Sequence, residues 1–228
     1  MPHGDITGFI LAGGRSRRMG RDKSRLPWGG HTFLTHAIRR MQQVCERVFV
    51  VGENMEAAMP VLNDAFPGCG PLAGLHSALL HTATEWNLVL AVDMPLVPPA
   101  LLKFLAAQCD QRSLAVVPQV AAVGELGEAR GAMGYPHKLP PILQPLCASY
   151  HRQLLPIVER ALSNRELSIQ RLLEQAGQGM MGEEYSAIRI IDERELAAAG
   201  FVPDMLMNVN TPADLDRARA LAQQLNVG

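Results

Sequence analysis

The chain has 228 residues, of which 48% are hydrophobic and 19% charged, a balance typical of a folded protein rather than a disordered one. The 21 basic and 22 acidic residues nearly cancel to a net charge of −1, which argues against a globally basic nucleic-acid-binding protein. At about 150 residues per domain, this length corresponds to one large domain or two small ones.

The cysteines and the apolar runs bear on where the protein works. The four cysteines are Cys45, Cys69, Cys109 and Cys147. No two of them have the short spacing of a zinc knuckle or a redox motif. The first residues show no basic segment followed by an apolar run, so we expect no signal peptide. The apolar runs are far shorter than the roughly 18–20 residues of a membrane span. We therefore expect free thiols in a reducing cytoplasm.

Short apolar runs alternate with helical patterns along the chain, which predicts βα units around a buried parallel sheet. The predicted strands are 6–11, 48–51, a weak one ending at 62, 88–92, 114–117, 145–149, 188–191 and 205–209. The predicted helices are 33–44, a short one from 53, 72–82, 98–108, 151–162, 168–175 and 211–225. Glycines and prolines predict an irregular insertion around 119–145 and a turn at 177–182.

A basic, glycine-rich loop from residue 12 to about residue 30 follows the first predicted strand, and its richest segment is LAGGRSRRMGRDKSR at 11–25. Its basic residues are Arg15, Arg17, Arg18, Arg21, Lys23 and Arg25. Glycines after a buried strand let the backbone approach a ligand closely, and successive N–H groups form an anion-binding nest. Guanidinium groups add charge-assisted phosphate contacts. The loop lacks the spacing of a P-loop or a dinucleotide fingerprint. It predicts polyphosphate binding; the alternatives are a solvated basic loop and a surface for a protein or RNA partner.

Three later segments carry further candidate site residues. Asp93 ends the predicted strand 88–92, where open α/β sheets bind ligands, and a carboxylate facing a polyphosphate can hold Mg2+. By itself, such an aspartate is more often a turn residue. Asp64 lies in a turn rich in glycine and proline, whose backbone could wall a flat ring such as a base. Asn208 and Asn210 precede the last helix, where asparagine is an ordinary turn or cap residue.

The combination of motifs resembles one known family. Residues 11–23, LAGGRSRRMGRDK, match the signature L-A-G-G-x-x-x-R-M-G-x-D-K of the molybdenum cofactor guanylyltransferases. The segments GPLAG at 70–74, VDMP at 92–95 and NVNTP at 208–212 are similar to that family's later motifs, in the same order. The segment QPLCASYHR at 144–152 resembles the stretch after the family's fifth strand. The first motif alone marks the wider nucleotidyltransferase superfamily, and the set is more specific.

The resemblance implies a fold and an activity. The implied fold is a single Rossmann-like, three-layer α/β domain over residues 1–228, with a mostly parallel central sheet and the irregular insertion around 119–145. The implied enzyme is cytoplasmic and joins GMP from GTP to molybdopterin bearing molybdenum, releasing pyrophosphate, with Mg2+ as cofactor. Its partners would be GTP, molybdopterin, and proteins that deliver molybdopterin or associate with molybdoenzymes, with neither nucleic acid nor membrane.

The resemblance also implies roles for single residues. Backbone contacts to the nucleotide are expected from Leu11, Ala12 and Gly13. The expected catalytic residues are Lys23, Asp93 and Arg18. Among these, Lys23 would bind phosphate, Asp93 would be the Mg2+ ligand, and Arg18 belongs to the loop that would stabilise the departing pyrophosphate. Asp64 would contact the nucleotide near its base. The family also has an asparagine after its second strand, for which Asn54 is a shifted match.

Other activities remain open at this point. Cytidylyl transfer to the same pterin is the nearest, and Gly13 favours GTP because the related cytidylyltransferases tend to carry L-A-A-G. A sugar-phosphate nucleotidyltransferase is a second alternative, against which the glycine motif at 70–74 argues. A nucleotide-binding regulator without catalysis is a third, and the presence of both Lys23 and Asp93 argues against it.

Overall fold

The computed structural model describes residues 6–13, 22–52, 57–121, 141–177, 188–225 and 227. The strands are β1 (Thr7–Leu11), β2 (Pro27–Trp28), β3 (His31–Thr32), β4 (Arg47–Val51), β5 (Val61–Leu62), β6 (Trp86–Ala91), β7 (Ala115–Ala121), β8 (Pro141–Leu143), β9 (Cys147–His151) and β10 (Ile188–Ile191). The helices are α1 (Phe33–Met41), α2 (Pro71–His81), α3 (Pro99–Ala107), α4 (Leu155–Ser163), α5 (Ile169–Gly177), α6 (Glu193–Ala198) and α7 (Pro212–Leu225). The predicted α/β class is confirmed.

Some sequence predictions concern residues outside these ranges. They are Arg18 with the central part of the basic loop, Asn54 with the short helix predicted from 53, most of the insertion predicted at 119–145, and most of the turn predicted at 177–182. At the two ends of the insertion, the structure describes the last residues of β7 and the whole of β8.

The central sheet is mostly parallel, as expected. Within the described ranges the strand order is β10-β7-β9-β6-β1-β4-β5, with β8 beside β7. Strand β1 is parallel to both of its neighbours, and β9 lies antiparallel between β6 and β7. In this register Leu11 lies opposite Val51 of β4 and opposite Ala91 of β6. The carboxyl ends of the three central strands are therefore level with one another.

Helices cover both faces of the sheet and give it two hydrophobic cores. Successive side chains of a strand point to opposite faces, so Ile10 belongs to one core and its neighbours Phe9 and Leu11 to the other. The first core includes residues of α1, α3 and α7, and the second includes residues of α2, α4 and α5. The molecule therefore has the three layers implied by the resemblance. None of the helices in the described ranges has the length and hydropathy that a membrane span requires.

The GPLAG segment owes its composition partly to the fold. Gly70 lies at the start of α2 with φ of +67°, a backbone conformation that L side chains rarely adopt. Pro71 follows in the first turn, where the missing N–H costs nothing. A Cβ atom built on Gly74 would lie 3.2 Å from Leu11 Cδ2, so the glycine lets α2 pack closely on the end of β1. The motif thus brings the helix up to the edge of the sheet that carries the site.

The predicted strand at 205–209 is wrong. A 3-10 helix, Pro203–Leu206, covers its first two residues, and the residues that follow belong to no strand of the described sheet. The segment reads MLMNV and has the apolar composition of a buried strand, but it crosses the end of β6, where the Val209 N–H donates to the Asp93 carbonyl at 2.8 Å. The prediction also lacked α6, a six-residue helix whose N-terminus is capped by the side chain of Asp192.

The two-core architecture predicts which side chains of α2 contribute most to the free energy of unfolding. Leu75 is fully buried, whereas Leu80 on the same helix is 49% exposed. We expect Leu75→Ala to lower the free energy of unfolding by about 2–5 kcal/mol, because it leaves a cavity in a packed core. The matched control Leu80→Ala should change it by less than about 0.5 kcal/mol. Urea unfolding of the two variants measures both, and equal effects would contradict the assignment of the faces.

Candidate active site

The level carboxyl ends of β1, β4 and β6 define one edge of the sheet. The Ala12 N–H donates to the Val51 carbonyl at 2.9 Å, and the Val92 N–H donates to the Leu11 carbonyl at 3.0 Å. These bonds continue the strand pairing one residue beyond the strands. The chain leaving β1 therefore lies between the chains leaving β4 and β6, and Asp93 follows on the β6 side.

Gly13 and Asp64 meet on the β4 side of this edge. The Gly52 N–H donates to the Leu62 carbonyl at 3.0 Å, so the chain leaving β5 joins the same edge, and Asp64 comes two residues later. A Cβ atom built on Gly13 would lie 3.5 Å from Gly52 Cα and 3.7 Å from Asp64 Oδ2. The Asp64 carboxylate therefore stands beside the glycine backbone.

Lys23, Asp93 and Asn210 form a cluster on the β6 side, which we call the site cluster. The Lys23 Nζ donates to Asp93 Oδ2 and to Asn210 Oδ1, each at 2.7 Å. The side chains of Lys23 and Asp93 are only 16% and 18% exposed. Three segments that are 70 and more residues apart in the chain therefore meet through one ammonium group.

A short capped turn points Lys23 into the site cluster. Lys23–Arg25 is a 3-10 helix, and the Asp22 side chain caps it by accepting from the backbone N–H of Ser24 at 3.0 Å and from its hydroxyl at 2.7 Å. Arg25 points outward and is 76% exposed, with its Nε 3.6 Å from Asp22 Oδ2. The structure describes two basic residues of this loop, and of these Lys23 is the one whose side chain contacts Asp93 and Asn210.

Asn210 is held by the N-terminus of α7. The Asp214 carboxylate accepts from the N–H groups of Asn210 and Thr211 at 2.9 and 2.8 Å, and the Thr211 hydroxyl accepts from the Asp214 N–H. This reciprocal arrangement is a capping box. Burial by itself would raise the pKa of Asp214, but these hydrogen bonds and the nearby charge of Lys23 together lower it.

The structure thus groups the residues predicted from the sequence in two places. Gly13 and Asp64 lie together on the β4 side, and Lys23 and Asp93 lie together on the β6 side. Asn210 is the residue that reasoning from the sequence undervalued, because an asparagine before a helix is usually a cap. The NVNTP segment carried the signal, since its second asparagine accepts from Lys23.

The site cluster combines one cationic side chain with oxygen acceptors from two others. Two oxygens, one from a carboxylate and one from an amide, already surround the ammonium of Lys23. Within the described ranges, no group of three or more His, Cys, Asp or Glu side chains could hold a metal ion. A divalent cation at this edge would therefore complete its coordination with oxygens of a bound phosphate and of water.

Fold and site together define the class of α/β nucleotidyltransferases. More narrowly, the chain belongs to the MobA-like NTP transferase domain family, whose model matches residues 8–180. A probable molybdenum cofactor guanylyltransferase from Chloroflexus aggregans is 33% identical to this chain, over 99% of each sequence.

Two solved structures share the fold. The molybdopterin-guanine dinucleotide biosynthesis protein A of Archaeoglobus fulgidus has a TM-score of 0.69 at 22% identity, covering 96% of this chain and 100% of its own. The 2-C-methyl-D-erythritol 4-phosphate cytidylyltransferase of Thermus thermophilus has a TM-score of 0.66 at 21% identity, covering 96% of this chain and 99% of its own. At these sequence identities the two structures establish the shared fold.

The capping box predicts a pH-dependent contribution to stability. Because the pKa of Asp214 is lowered in the folded protein, its contribution is fully present at neutral pH and disappears as pH falls through the folded-state pKa. We expect Asp214→Asn to reduce the free energy of unfolding by about 1 kcal/mol at neutral pH, and by progressively less in acid. The control is Asp216→Asn on the same helix, whose side chain is 79% exposed. Urea unfolding at several pH values measures the effect, and a difference independent of pH would contradict it.

Proposed function

We propose that this protein is a molybdenum cofactor guanylyltransferase, which joins GMP from GTP to molybdenum-bearing molybdopterin and releases pyrophosphate. The family membership and the 33% identity to the Chloroflexus aggregans relative support this activity. The proposal includes a cytoplasmic location, one nucleotidyltransferase domain over residues 1–228, and protein partners that deliver molybdopterin or associate with molybdoenzymes.

The convergence of Lys23, Asp93 and Asn210 is the observation that carries the proposal. A cation for phosphate and a carboxylate for a metal ion are the two groups that nucleotidyl transfer needs beside each other. Here they lie 2.7 Å apart at the carboxyl edge of a parallel sheet, where α/β proteins bind their ligands. In a loop that is merely solvated, the lysine side chains would point into water. They would not contact a carboxylate that follows a buried strand.

GTP would lie along the edge between the two groups of residues. The Leu11 carbonyl and the Ala12 N–H are already used within the sheet, so the proposed backbone contacts fall on the Ala12 carbonyl and on Gly13. Asp64, beside Gly13, would accept from donors on the edge of the guanine ring. The phosphates would then extend towards Lys23, with Arg18 of the same loop as a further proposed phosphate contact.

The donor set of the site cluster fits Mg2+. Asp93 is proposed as its ligand, and Asn210 adds a neutral oxygen on the same side. When bound, Mg2+ would neutralise and orient the α-phosphate. Lys23 would exchange Asp93 and Asn210 for phosphate oxygens, so the ammonium keeps strong hydrogen bonds while the carboxylate becomes available.

The reaction needs positioning and charge stabilisation rather than a protein nucleophile. An oxygen of the pterin's terminal phosphate forms a bond to the α-phosphorus of GTP in line with the leaving group. The bond from the α-phosphorus to the oxygen that bridges to the β-phosphorus breaks, and pyrophosphate leaves with the electron pair. Lys23 and Arg18 are proposed to stabilise the negative charge that grows on the leaving pyrophosphate.

A turnover assay with an Asp93 variant tests the proposal. Purified protein is mixed with Mg2+, GTP and molybdenum-bearing molybdopterin, and pyrophosphate release is followed. We expect Asp93→Asn and Asp93→Ala to lose about 100-fold or more in kcat, with the fold retained. The control Asp204→Asn alters another aspartate paired with a basic residue, Arg217, at the surface. Turnover by wild type with CTP in place of GTP, or near-normal turnover by a folded Asp93 variant, would reject the assignment.

Lys23→Met tests the phosphate contact. The variant removes a charge-assisted hydrogen bond worth about 1.5–3 kcal/mol, so we expect the Kd for GTP to rise about tenfold or more. The control is Lys103→Met, at an exposed position of α3. Calorimetry with GTP in the presence of Mg2+ measures both variants. An unchanged Kd together with an unchanged kcat/KM would show that Lys23 does not contact phosphate.

A further inference from the structure

The loop that follows Asp93 is buried although it is neither helix nor strand. Residues 94–97 are all buried, and buried irregular backbone leaves carbonyl groups that need hydrogen-bond donors. Pro95 and Pro98 have no N–H, so the segment has few donors of its own. Because this loop continues directly from Asp93, whatever holds its backbone also restrains the aspartate.

Helix α1 supplies the missing donors from the layer beneath. Arg40 Nη1 donates to the Pro95 carbonyl at 2.7 Å and also to the Val97 carbonyl. His36, one turn earlier on the same helix, has Nε2 3.1 Å from the Pro95 carbonyl. A carbonyl can only accept, so this nitrogen of His36 carries its hydrogen.

Burying the charged guanidinium of Arg40 costs free energy of desolvation. The residue is 6% exposed, and within the described part of the chain no carboxylate pairs with it. Burial lowers the pKa of Arg40 to about 10, so the guanidinium stays charged at neutral pH. Burial, assisted by the charge of Arg40, lowers the pKa of His36 to about 4, so His36 is neutral there. A buried charge is tolerated only where its hydrogen bonds offset its desolvation, which ties Arg40 closely to the two carbonyls.

We propose that Arg40 is a positioning residue for Asp93, acting through the backbone of residues 94–97. The inference rests on the proposed function for the catalytic role of Asp93. Lys23 holds the carboxylate of this aspartate, and the Val209 N–H holds its carbonyl. Arg40 adds the restraint on the chain just downstream. Without that restraint the carboxylate loses its fixed place, while the nucleotide contacts at Gly13 and Asp64 are untouched.

Amide hydrogen exchange of the ligand-free protein tests this restraint without reference to activity. The reporters are the N–H groups of Met94 and Val97, which donate to the Ala91 and Met94 carbonyls. In Arg40→Met we expect their exchange to accelerate about tenfold or more, the factor that loss of one charge-assisted hydrogen bond gives. Exchange in β1 and β4 should change much less. Uniform acceleration across the sheet, or none at residues 94–97, overturns the proposal.

A matched variant separates positioning from general loss of stability. Ile38→Ala removes another buried side chain from α1, one that packs in the first core. It should lower the free energy of unfolding without singling out Met94 and Val97 for faster exchange. If Arg40→Met fails to fold, Arg40→Lys takes its place, because one ammonium can serve the two carbonyls only incompletely. The same selective acceleration, of smaller size, is then expected, and its absence overturns the proposal.

Kinetics of pyrophosphate release then tests the link to Asp93. We expect Arg40→Met to lower kcat about tenfold or more, while KM for GTP stays within about twofold, because positioning acts on the transition state. A raised KM with unchanged kcat, or an unchanged kcat despite faster exchange at residues 94–97, overturns the link. If wild type itself releases no pyrophosphate, the proposed function fails, and the exchange experiment still decides whether Arg40 restrains the loop.

Discussion

The in-register pairing of β1 with both of its neighbours is the constraint on which the site depends. Leu11 lies opposite Val51 and Ala91, so the chains leaving three strands emerge side by side. A shift of one residue in either pairing would turn every side chain of the shifted strand to the other core. The buried alternation of β1 between two hydrophobic cores therefore fixes the register, and the register in turn sets Gly13 and Asp93 on one edge.

The contacts within the site cluster offset part of the cost of burying two charged side chains. The Lys23 ammonium and the Asp93 carboxylate are only 16% and 18% exposed, so each loses hydration, and their mutual attraction offsets part of that cost. The Lys23 ammonium also donates to the neutral Oδ1 of Asn210, so it gains a second hydrogen bond without a second negative charge nearby. The side chains are thus already ordered, and the polyphosphate binding proposed here would exchange the partners of Lys23 instead of ordering a lysine that was free in solvent.

The sequence allowed a good prediction of the sheet and a partial one of the site. The buried parallel strands β1 and β6 each contain a short apolar run, at 9–11 and 88–91, and helix α2 begins with a clear Gly-Pro signal. The segment at 205–209 has the apolar composition of a buried strand, but a run of apolar side chains does not say whether a neighbouring strand is there to pair with. Asn210 looked like a cap because it precedes a helix. Its contact with Lys23 spans 187 residues, a separation that no local pattern encodes.

Arg40 is a second residue whose place in the structure could not be predicted from the local sequence. On an amphipathic helix a charged residue is ordinarily assigned to the solvent face, and nothing local marks Arg40 as 6% exposed. Its burial follows from the needs of another segment, since a proline-containing loop packed under the sheet edge must find donors for its carbonyls. The α1 layer thus does more than cover an apolar face. It completes the hydrogen bonding of the loop that leaves β6, and by that route a helix with no residue in the site cluster limits how far Asp93 can move.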